Sequence, residues 1–356
     1  MPFDRKRVVV RMNRRQLMRG LALASLVPFG AGRARALAAL TLLVAGPDGQ
    51  QTSRWGKACA LAMQSGFPGT PTIGTQAVGG LDGVTGANRL DALVVPDGKT
   101  AAILPGAAIT AWLTSDSRVH FDPTRWVPLM AGANSGVLVA RLPAGATPDL
   151  NTLQSLAPLK LAADQPESND LAALLALARL GVATLPVFGL RSTDAKISAF
   201  IAGQVDAVFL CGEGVPEDIA PLTAGGGVPV FSLGLQNADG SISPDPAFPK
   251  LPDATALGPS VTPFLDTSYR AAACAARLDF IMVLPRLTDP SLIAQWRQAA
   301  SEATAAPALV AAASASSIAL ESAPPVIASL TTLNLAPADQ AQMLSFLTKN
   351  FGWQPG

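Results

Sequence analysis

The chain has 356 residues, of which 49% are hydrophobic and 14% are charged, so it is long enough to form two domains with apolar cores. It contains one histidine and three cysteines, which excludes a site built from several histidines and leaves at least one cysteine unpaired. Residues 1–36 carry nine of the 26 Lys and Arg residues and one acid, so residues 37–356 carry 17 bases, 24 acids and a net charge of −7. This acidic balance argues against nucleic acid as a partner.

The N-terminal residues have the pattern of an export signal. A pair of arginines at 14–15 precedes a modest apolar stretch at 20–31, which is shorter than the roughly 20 residues that span a bilayer. A basic segment with a small-x-small cleavage pattern follows at 33–36. The pattern predicts a cleaved twin-arginine signal over residues 1–36 and a mature periplasmic protein that begins near Leu37. A basic tail before an ordinary helix and a membrane anchor are the alternatives.

Short apolar runs alternate with turn residues and helical segments along the rest of the chain. The first run, 40–45, reads as a buried strand that feeds a turn, and a helix is expected over 54–64 with Ser53 as its N-cap. Further strands are predicted at 72–77, 101–104, 136–140, 159–162, 186–190, 205–210 and 278–284, and further helices at 171–180, 194–202, 290–304, 306–314 and 337–350. Strand–turn–helix units in series indicate an α/β fold with parallel sheets.

Several short motifs occur in an order that belongs to a known family. The segment 42–53, LLVAGPDGQQTS, joins a strand to a helix through a Pro/Gly-rich loop. A Gly-rich turn at 80–86, Pro-Asp-Gly-Lys-Thr at 96–100, Phe-Asp-Pro at 121–123 and Gly-Gln-Val-Asp at 203–206 follow it. With these motifs the chain resembles the substrate-binding receptors of tripartite tricarboxylate transporters, the Bug family.

The resemblance implies an α/β fold of the two-lobe periplasmic-binding-protein kind (Venus flytrap, type II) with two crossovers. Lobe 1 would comprise residues 37–138 and 261–356, and lobe 2 residues 139–260. A ligand would be held between the lobes by two loops and a third segment. The ligand-binding residues that the resemblance implies are Gly46, Pro47, Asp48, Gly49, Gln50, Gln51, Thr52 and Ser53 in the first loop, Asp164, Gln165, Ser168, Asn169 and Asp170 in the second loop, and Arg191 and Ser192 in the third segment.

Physical chemistry supports an anion site at such loops. A loop that leaves the carboxyl end of a parallel strand and enters a helix presents unpaired N–H donors and the positive end of the helix dipole, which suit a carboxylate. Arg191 could hold a carboxylate through a bidentate pair, although a solvated arginine is the alternative. The second loop carries three acids, of which Asp170 could be a helix cap, and such acids would repel a tricarboxylate. We therefore expect a mono- or dicarboxylate, or a neutral or zwitterionic solute, rather than citrate.

Together these features predict a solute-binding receptor for uptake or sensing rather than an enzyme. We expect a monomer that uses no cofactor and no metal ion, and that works with a membrane transporter or sensor. The alternative is an exported enzyme on a similar two-lobe scaffold, with cleft carboxylates such as Asp48 or Asp164 as acid–base groups. Paired carboxylates with raised pKa values across the cleft would favour the enzyme. His120 lies in a predicted turn, and no nucleophile motif leads into it.

Overall fold

The computed structural model describes residues 39–156 and 158–354, which belong to one compact unit. The predicted export signal lies outside the described residues and stays a prediction. The strands are β1 Leu40–Ala45, β2 Ile73–Val78, β3 Thr100–Leu104, β4 Val127–Ala133, β5 Ser135–Arg141, β6 Leu159–Ala162, β7 Thr184–Val187, β8 Ala207–Gly212, β9 Gly227–Ser232, β10 Leu235–Gln236, β11 Ile242–Ser243, β12 Leu278–Leu284 and β13 Ala319–Ser322.

Helices lie between most of the strands, and four of them close the chain. The helices are α1 Gln51–Met63, α2 Val84–Leu93, α3 Gly106–Leu113, α4 Leu150–Ser155, α5 Leu171–Arg179, α6 Thr193–Ile201, α7 Val215–Ala224, α8 Ala254–Leu257, α9 Pro263–Arg277, α10 Pro290–Thr304, α11 Pro307–Ala315, α12 Ala323–Thr332 and α13 Pro337–Phe351. Within the described ranges, no helix is both long enough and apolar enough to cross a membrane.

The strands form two main sheets. The first has the order β13-β4-β12-β3-β1-β2, in which β1, β2 and β3 are parallel and β12 runs antiparallel to β3 and β4. The second has the order β7-β6-β8-β5-β9, in which β6, β7 and β8 are parallel and β5 runs antiparallel to β8 and β9. Parallel strands joined by helices give the α/β architecture that the sequence predicts.

The chain passes between the two sheets twice. Asn134 alone separates β4 of the first sheet from β5 of the second, and the second passage runs from β9 through residues 233–262 to α9 and β12. The predicted two-sheet α/β fold with two crossovers is therefore confirmed. The lobe boundaries stay predictions, and the one placed after residue 138 falls inside β5.

The largest apolar cluster joins the two sheets. It includes Leu104 and Ile281 from the first sheet and Leu138 and Phe209 from the second, packed with the helices α5 and α9. Two smaller clusters cover the other faces, one beneath α1 and α10 and one beneath α6 and α7. Because the shared cluster anchors both sheets, their facing edges are held close together.

The start of α1 differs from the prediction. The helix begins at Gln51 with Gln50 at the N-cap position, so the prediction that Ser53 caps the helix was wrong. Ser53 lies buried inside the first turn, and its hydroxyl donates to Asp48 Oδ1 at 2.7 Å. A nearby carboxylate accepts the hydrogen bond more strongly than a neutral group would, which explains why this hydroxyl donates instead of capping.

Several elements were not predicted from the sequence, notably α3, α9, β4 and β13. In α9 the seven residues 271–277 are all buried. A stretch that is buried on every side has no exposed face to produce a helical period of polar residues. Such a stretch becomes visible as a helix only once its neighbours are in place.

Candidate ligand-binding cleft

The cleft lies where the two sheets turn their strand ends toward each other. In the first sheet β1, β2 and β3 end at one edge, and each is followed by a loop and the N-terminus of α1, α2 or α3. In the second sheet β6, β7 and β8 likewise lead into α5, α6 and α7. Ligands in open α/β sheets bind outside the carboxyl ends of the strands, so both edges are suited to binding.

The cleft contains two cavities. The first, of about 240 Å³, is lined by Gly46, Pro47, Gln50, Gln51, Thr52, Leu81, Pro105, Gly106, Ala107, Asn134, Asn169, Cys211, Gly212, Leu278 and Asp279. The second, of about 270 Å³, is lined by Ala107, Asp164, Ser168, Asn169, Asp170, Arg191, Thr193, Lys196, Phe209, Leu210 and Cys211. Ala107, Asn169 and Cys211 line both cavities, so the two form one continuous cleft.

Most of the residues that the sequence placed at the ligand lie along this cleft. Gly46, Pro47, Gln50, Gln51, Thr52 and Asn169 line the first cavity, and Asp164, Ser168, Asn169, Asp170 and Arg191 line the second. Asp48, Gly49, Ser53, Gln165 and Ser192 line neither cavity. Ser192 instead caps α6, where its hydroxyl oxygen accepts from the Ala195 backbone N–H at 3.1 Å.

Asp48 has its own partners away from the cavities. Its Oδ1 accepts from Lys57 Nζ at 2.7 Å and from the Ser53 hydroxyl at 2.7 Å. The hydrogen bond from Lys57, followed by that from Ser53, lowers the pKa of Asp48 to about 2. A carboxyl with so low a pKa carries no proton near neutral pH, so it is a poor general acid.

The acids of the second loop are partly neutralised. Asp170 is 2% exposed, and its Oδ2 accepts from the Asp164 backbone N–H at 2.8 Å, while its Oδ1 lies 2.5 Å from Lys196 Nζ. Asp170 therefore holds the loop in shape and balances the charge of a partly buried lysine. Arg191 is different, because its side chain is 83% exposed and its Nε lies 3.6 Å from Asp164 Oδ1. Its guanidinium remains accessible at the second cavity.

Two helix N-termini line the first cavity. In α1 the first backbone bond joins the Arg54 N–H to the Gln50 carbonyl, so the preceding N–H groups of the first turn have no acceptor inside the helix. Helix α3 begins at Gly106, which packs directly against the carbonyls of Ala275 and Leu278. A side chain at Gly106 would collide with that backbone, so glycine is what allows α3 to begin beside the cavity. Both N-termini favour a bound anion.

Asp279 is one of the cleft residues that the sequence did not predict. Leu278 pairs with Ala133 and Phe280 pairs with Gly132, so Asp279 is the extra residue of a β-bulge in β12. The bulge turns this carboxyl into the first cavity, although it is 9% exposed. Its Oδ1 accepts from Gln51 Nε2, and its Oδ2 has no partner among the described residues. A lone acid in the apolar run LDFIMVL was the available signal.

The surroundings of Asp279 disfavour its charged form. Burial, followed by the nearby carboxylate of Glu213, raises the pKa of Asp279 to about 7. Glu213 lies in the loop after β8, where it accepts from Trp55 Nε1 at 2.7 Å and from Arg54 Nη2. The two acids thus come from opposite sheets, but of the two only Glu213 is paired with a cation.

The described residues hold no group of three or more His, Cys, Asp and Glu side chains that could bind a metal ion. His120 is exposed and lines neither cavity, and its backbone N–H donates to Asn88 Oδ1 at 2.7 Å. Cys59, Cys211 and Cys274 are free thiols. Burial raises the pKa of Cys211 to about 12, so this thiol lines the cleft in its neutral form.

No family model matches the chain, and no curated protein matches it. Among solved structures, a TctC solute-binding protein from Polaromonas superposes with a TM-score of 0.66 at 16% identity, over 87% of this chain and 98% of that one. MatC from Rhodopseudomonas palustris with bound malate gives 0.51 at 17%, over 86% and 98%. The periplasmic binding protein BugD gives 0.50 at 15%, over 88% and 97%.

At these identities the likeness is one of fold. The chain has the two-lobe α/β fold of periplasmic binding proteins, and its cleft lies at the strand ends of both sheets. Within that class the fold is that of the TctC and Bug solute-binding proteins, which confirms at the level of fold the resemblance that the sequence motifs indicate.

Proposed function

We propose that this protein is an exported solute-binding receptor that captures a small polar solute, with at least one carboxylate, in the cleft between its two sheets. The continuous cleft is the main support for this proposal. In it the N-termini of α1 and α3, beside the first sheet, face the second loop and Arg191, which lie beside the second sheet. Unpaired N–H groups, two positive dipole ends and one accessible guanidinium together favour an anionic group.

The charges in the cleft support a small acid over a highly charged one. Asp164 lines the second cavity and Asp279 lines the first, and each of them, when ionised, would repel a further carboxylate on the ligand. A mono- or dicarboxylate or a zwitterion therefore fits better than citrate. MatC, which shares this fold, has bound malate, and this supports a small carboxylate as the ligand.

In this proposal residues 37–138 with 261–356 and residues 139–260 are two lobes that move about the crossovers. Closure over a ligand would remove it from water and present a changed surface to a membrane transporter or sensor. The protein would reach the periplasm through its twin-arginine signal and would act there as a monomer.

The alternative, an exported enzyme, finds support in one observation only. Asp279 has a raised pKa, as a general acid would need. The facing carboxylate, Glu213, is engaged by Arg54 and Trp55, while Asp48 has a lowered pKa and lies off the cavities. Turnover of any compound that binds would favour this alternative over the receptor.

A thermal-shift screen of the purified chain against small organic acids, amides and amino acids tests the proposal. A ligand that binds only the folded state raises the melting temperature by mass action. We expect carboxylates to raise the melting temperature, and we expect their apparent affinity to be about tenfold lower in Arg191→Ala. Arg286→Ala removes an exposed arginine that lines neither cavity, so it should leave the affinity unchanged. Citrate as clearly the tightest ligand, or no shift with any carboxylate, would contradict the proposal.

A further inference from the structure

One acceptor in the first cavity has no donor. Asp279 lines this cavity, and its Oδ2 is buried with no hydrogen-bond partner among the described residues, because the nearby Trp55 indole N–H donates to Glu213 instead. Its sister oxygen accepts from Gln51 Nε2. A buried polar atom without a partner costs free energy, so the native structure keeps such atoms where a ligand or water completes them.

A cationic donor suits this carboxyl, because the protein supplies none. No Lys or Arg in the described residues lies within ion-pair distance of Asp279, and Arg54, the cation nearby, already pairs with Glu213. Arg54 offsets the charge of Glu213, so the net negative charge at this end of the cavity is that of the ionised Asp279. A carboxylate of a ligand would be repelled by it, whereas an ammonium group would be attracted and would favour the ionised form of Asp279.

The other side of the same cavity favours an anion. The first turn of α1 and the start of α3 line it with backbone N–H groups and positive dipole ends. A volume of about 240 Å³ suits a solute of amino-acid size. One small molecule can satisfy both sides only if it carries a carboxylate and a protonated nitrogen.

We propose that the cleft selects a zwitterion, an amino acid or a similar amino-bearing acid, whose ammonium N–H donates to Asp279 Oδ2 and whose carboxylate accepts from the N-termini of α1 and α3. This inference rests on the proposed function, because it names the ligand class of the same cleft. In this inference Asp279 is the residue that makes the cleft selective for amino acids over the corresponding deaminated acids.

Isothermal titration of the full chain with matched pairs of ligands tests it. Each pair, such as alanine with propionate or glutamate with glutarate, differs only by the amino group, and all common amino acids are included with their deaminated counterparts. We expect the amino member of the preferred pair to bind at least tenfold more tightly, since a hydrogen bond between charged groups accounts for a difference of this size.

The variant Asp279→Asn keeps the size of the side chain and removes its charge. We expect it to bind the amino acid at least tenfold more weakly and the deaminated acid equally or more tightly, while Asp239→Asn, which removes an exposed carboxylate in the β10–β11 turn, changes neither. Thermal melting of each variant verifies that it is folded.

The outcomes separate the two proposals. If the deaminated acids bind the native protein as tightly as the amino acids, or if Asp279→Asn retains the preference for the amino member, the inference is wrong and the receptor stands. If no member of any pair binds, the proposed function fails and the inference fails with it.

Discussion

The Glu213 carboxylate accepts a hydrogen bond from the Trp55 indole nitrogen at 2.7 Å, across 158 positions of sequence. Trp55 belongs to α1 beside the first sheet, and Glu213 belongs to the loop that follows β8 in the second. Arg54 donates to the same carboxylate. This contact therefore links the two sides of the cleft next to the first cavity, and it can form only when the two sheets lie close together.

Loss of this contact should weaken ligand binding. Glu213→Ala removes both the hydrogen bond from Trp55 and the more exposed ion pair with Arg54 across the cleft, and we expect a loss of about 1 kcal/mol or more, or at least roughly fivefold in affinity. Isothermal titration with any ligand found in the screen measures it. Glu217→Ala, which removes a nearby exposed acid, is the control, and equal affinities of the two variants would contradict the prediction.

Stability should fall as the pH rises toward neutral, because of Asp279. Its carboxyl titrates near 3.8 when unfolded and near 7 when folded, so between these values the folded state binds the extra proton. Stability from this group is therefore complete below about pH 4 and lost as the pH rises through 7, by at most about 4 kcal/mol. The charged and titratable groups facing it are Glu213, Arg54 and Cys211.

Urea unfolding of the native protein and of Asp279→Asn from pH 4 to pH 8 measures this dependence. We expect the variant to lose less stability with rising pH and to be the more stable of the two at pH 8. Burial also raises the pKa of Glu321 to about 7, so a smaller fall should remain in the variant. Identical slopes for the two proteins would show that Asp279 titrates normally.

The ion pair of Asp170 with Lys196 should be costly to break. Both side chains are nearly buried, and in Lys196→Met the Asp170 charge would remain in the interior without its cation. Removal of one partner of a buried pair typically costs about 3–5 kcal/mol. Denaturant unfolding measures the loss, and Lys57→Met, which removes the partner of the exposed Asp48, should show little change. A loss no larger than that of Lys57→Met would refute the prediction.

Gly106 should not tolerate a side chain. A Cβ there would collide with the carbonyls of Ala275 and Leu278, so Gly106→Ala must displace α3 or the junction of α9 with β12, at a cost of about 2 kcal/mol or more. The same change at Gly79, where nothing lies within 4 Å, should alter stability by less than about 1 kcal/mol. Calorimetric melting temperatures of the two variants compare these costs, and equal shifts would mean that the close approach is not needed.

The pattern of apolar runs and turn residues predicts much of the fold. The bounds of β1, β6, β12 and α10 agree with the sequence prediction, because each of these elements has a local signal in its own residues. The loops after β1 and β6 were expected at the ligand for the same reason, since a strand that leads into a helix leaves free N–H groups wherever it occurs. Asn169 lies in the second of these loops, whereas Arg191 lies in the loop after β7 and was placed at the ligand by the resemblance to the Bug family.

The sequence by itself therefore determined the α/β class and the loops that carry the cleft, since both depend on neighbours in the chain. Only the tertiary structure decided the charges of the cleft. Gln51 donates to Asp279 across 228 positions, and burial, followed by the carboxylate of Glu213 beside the other sheet, raises the pKa of Asp279. The pKa of an ionisable group depends on its burial and on the charges around it. Both are determined by residues that are distant in the sequence, so no local pattern predicts them.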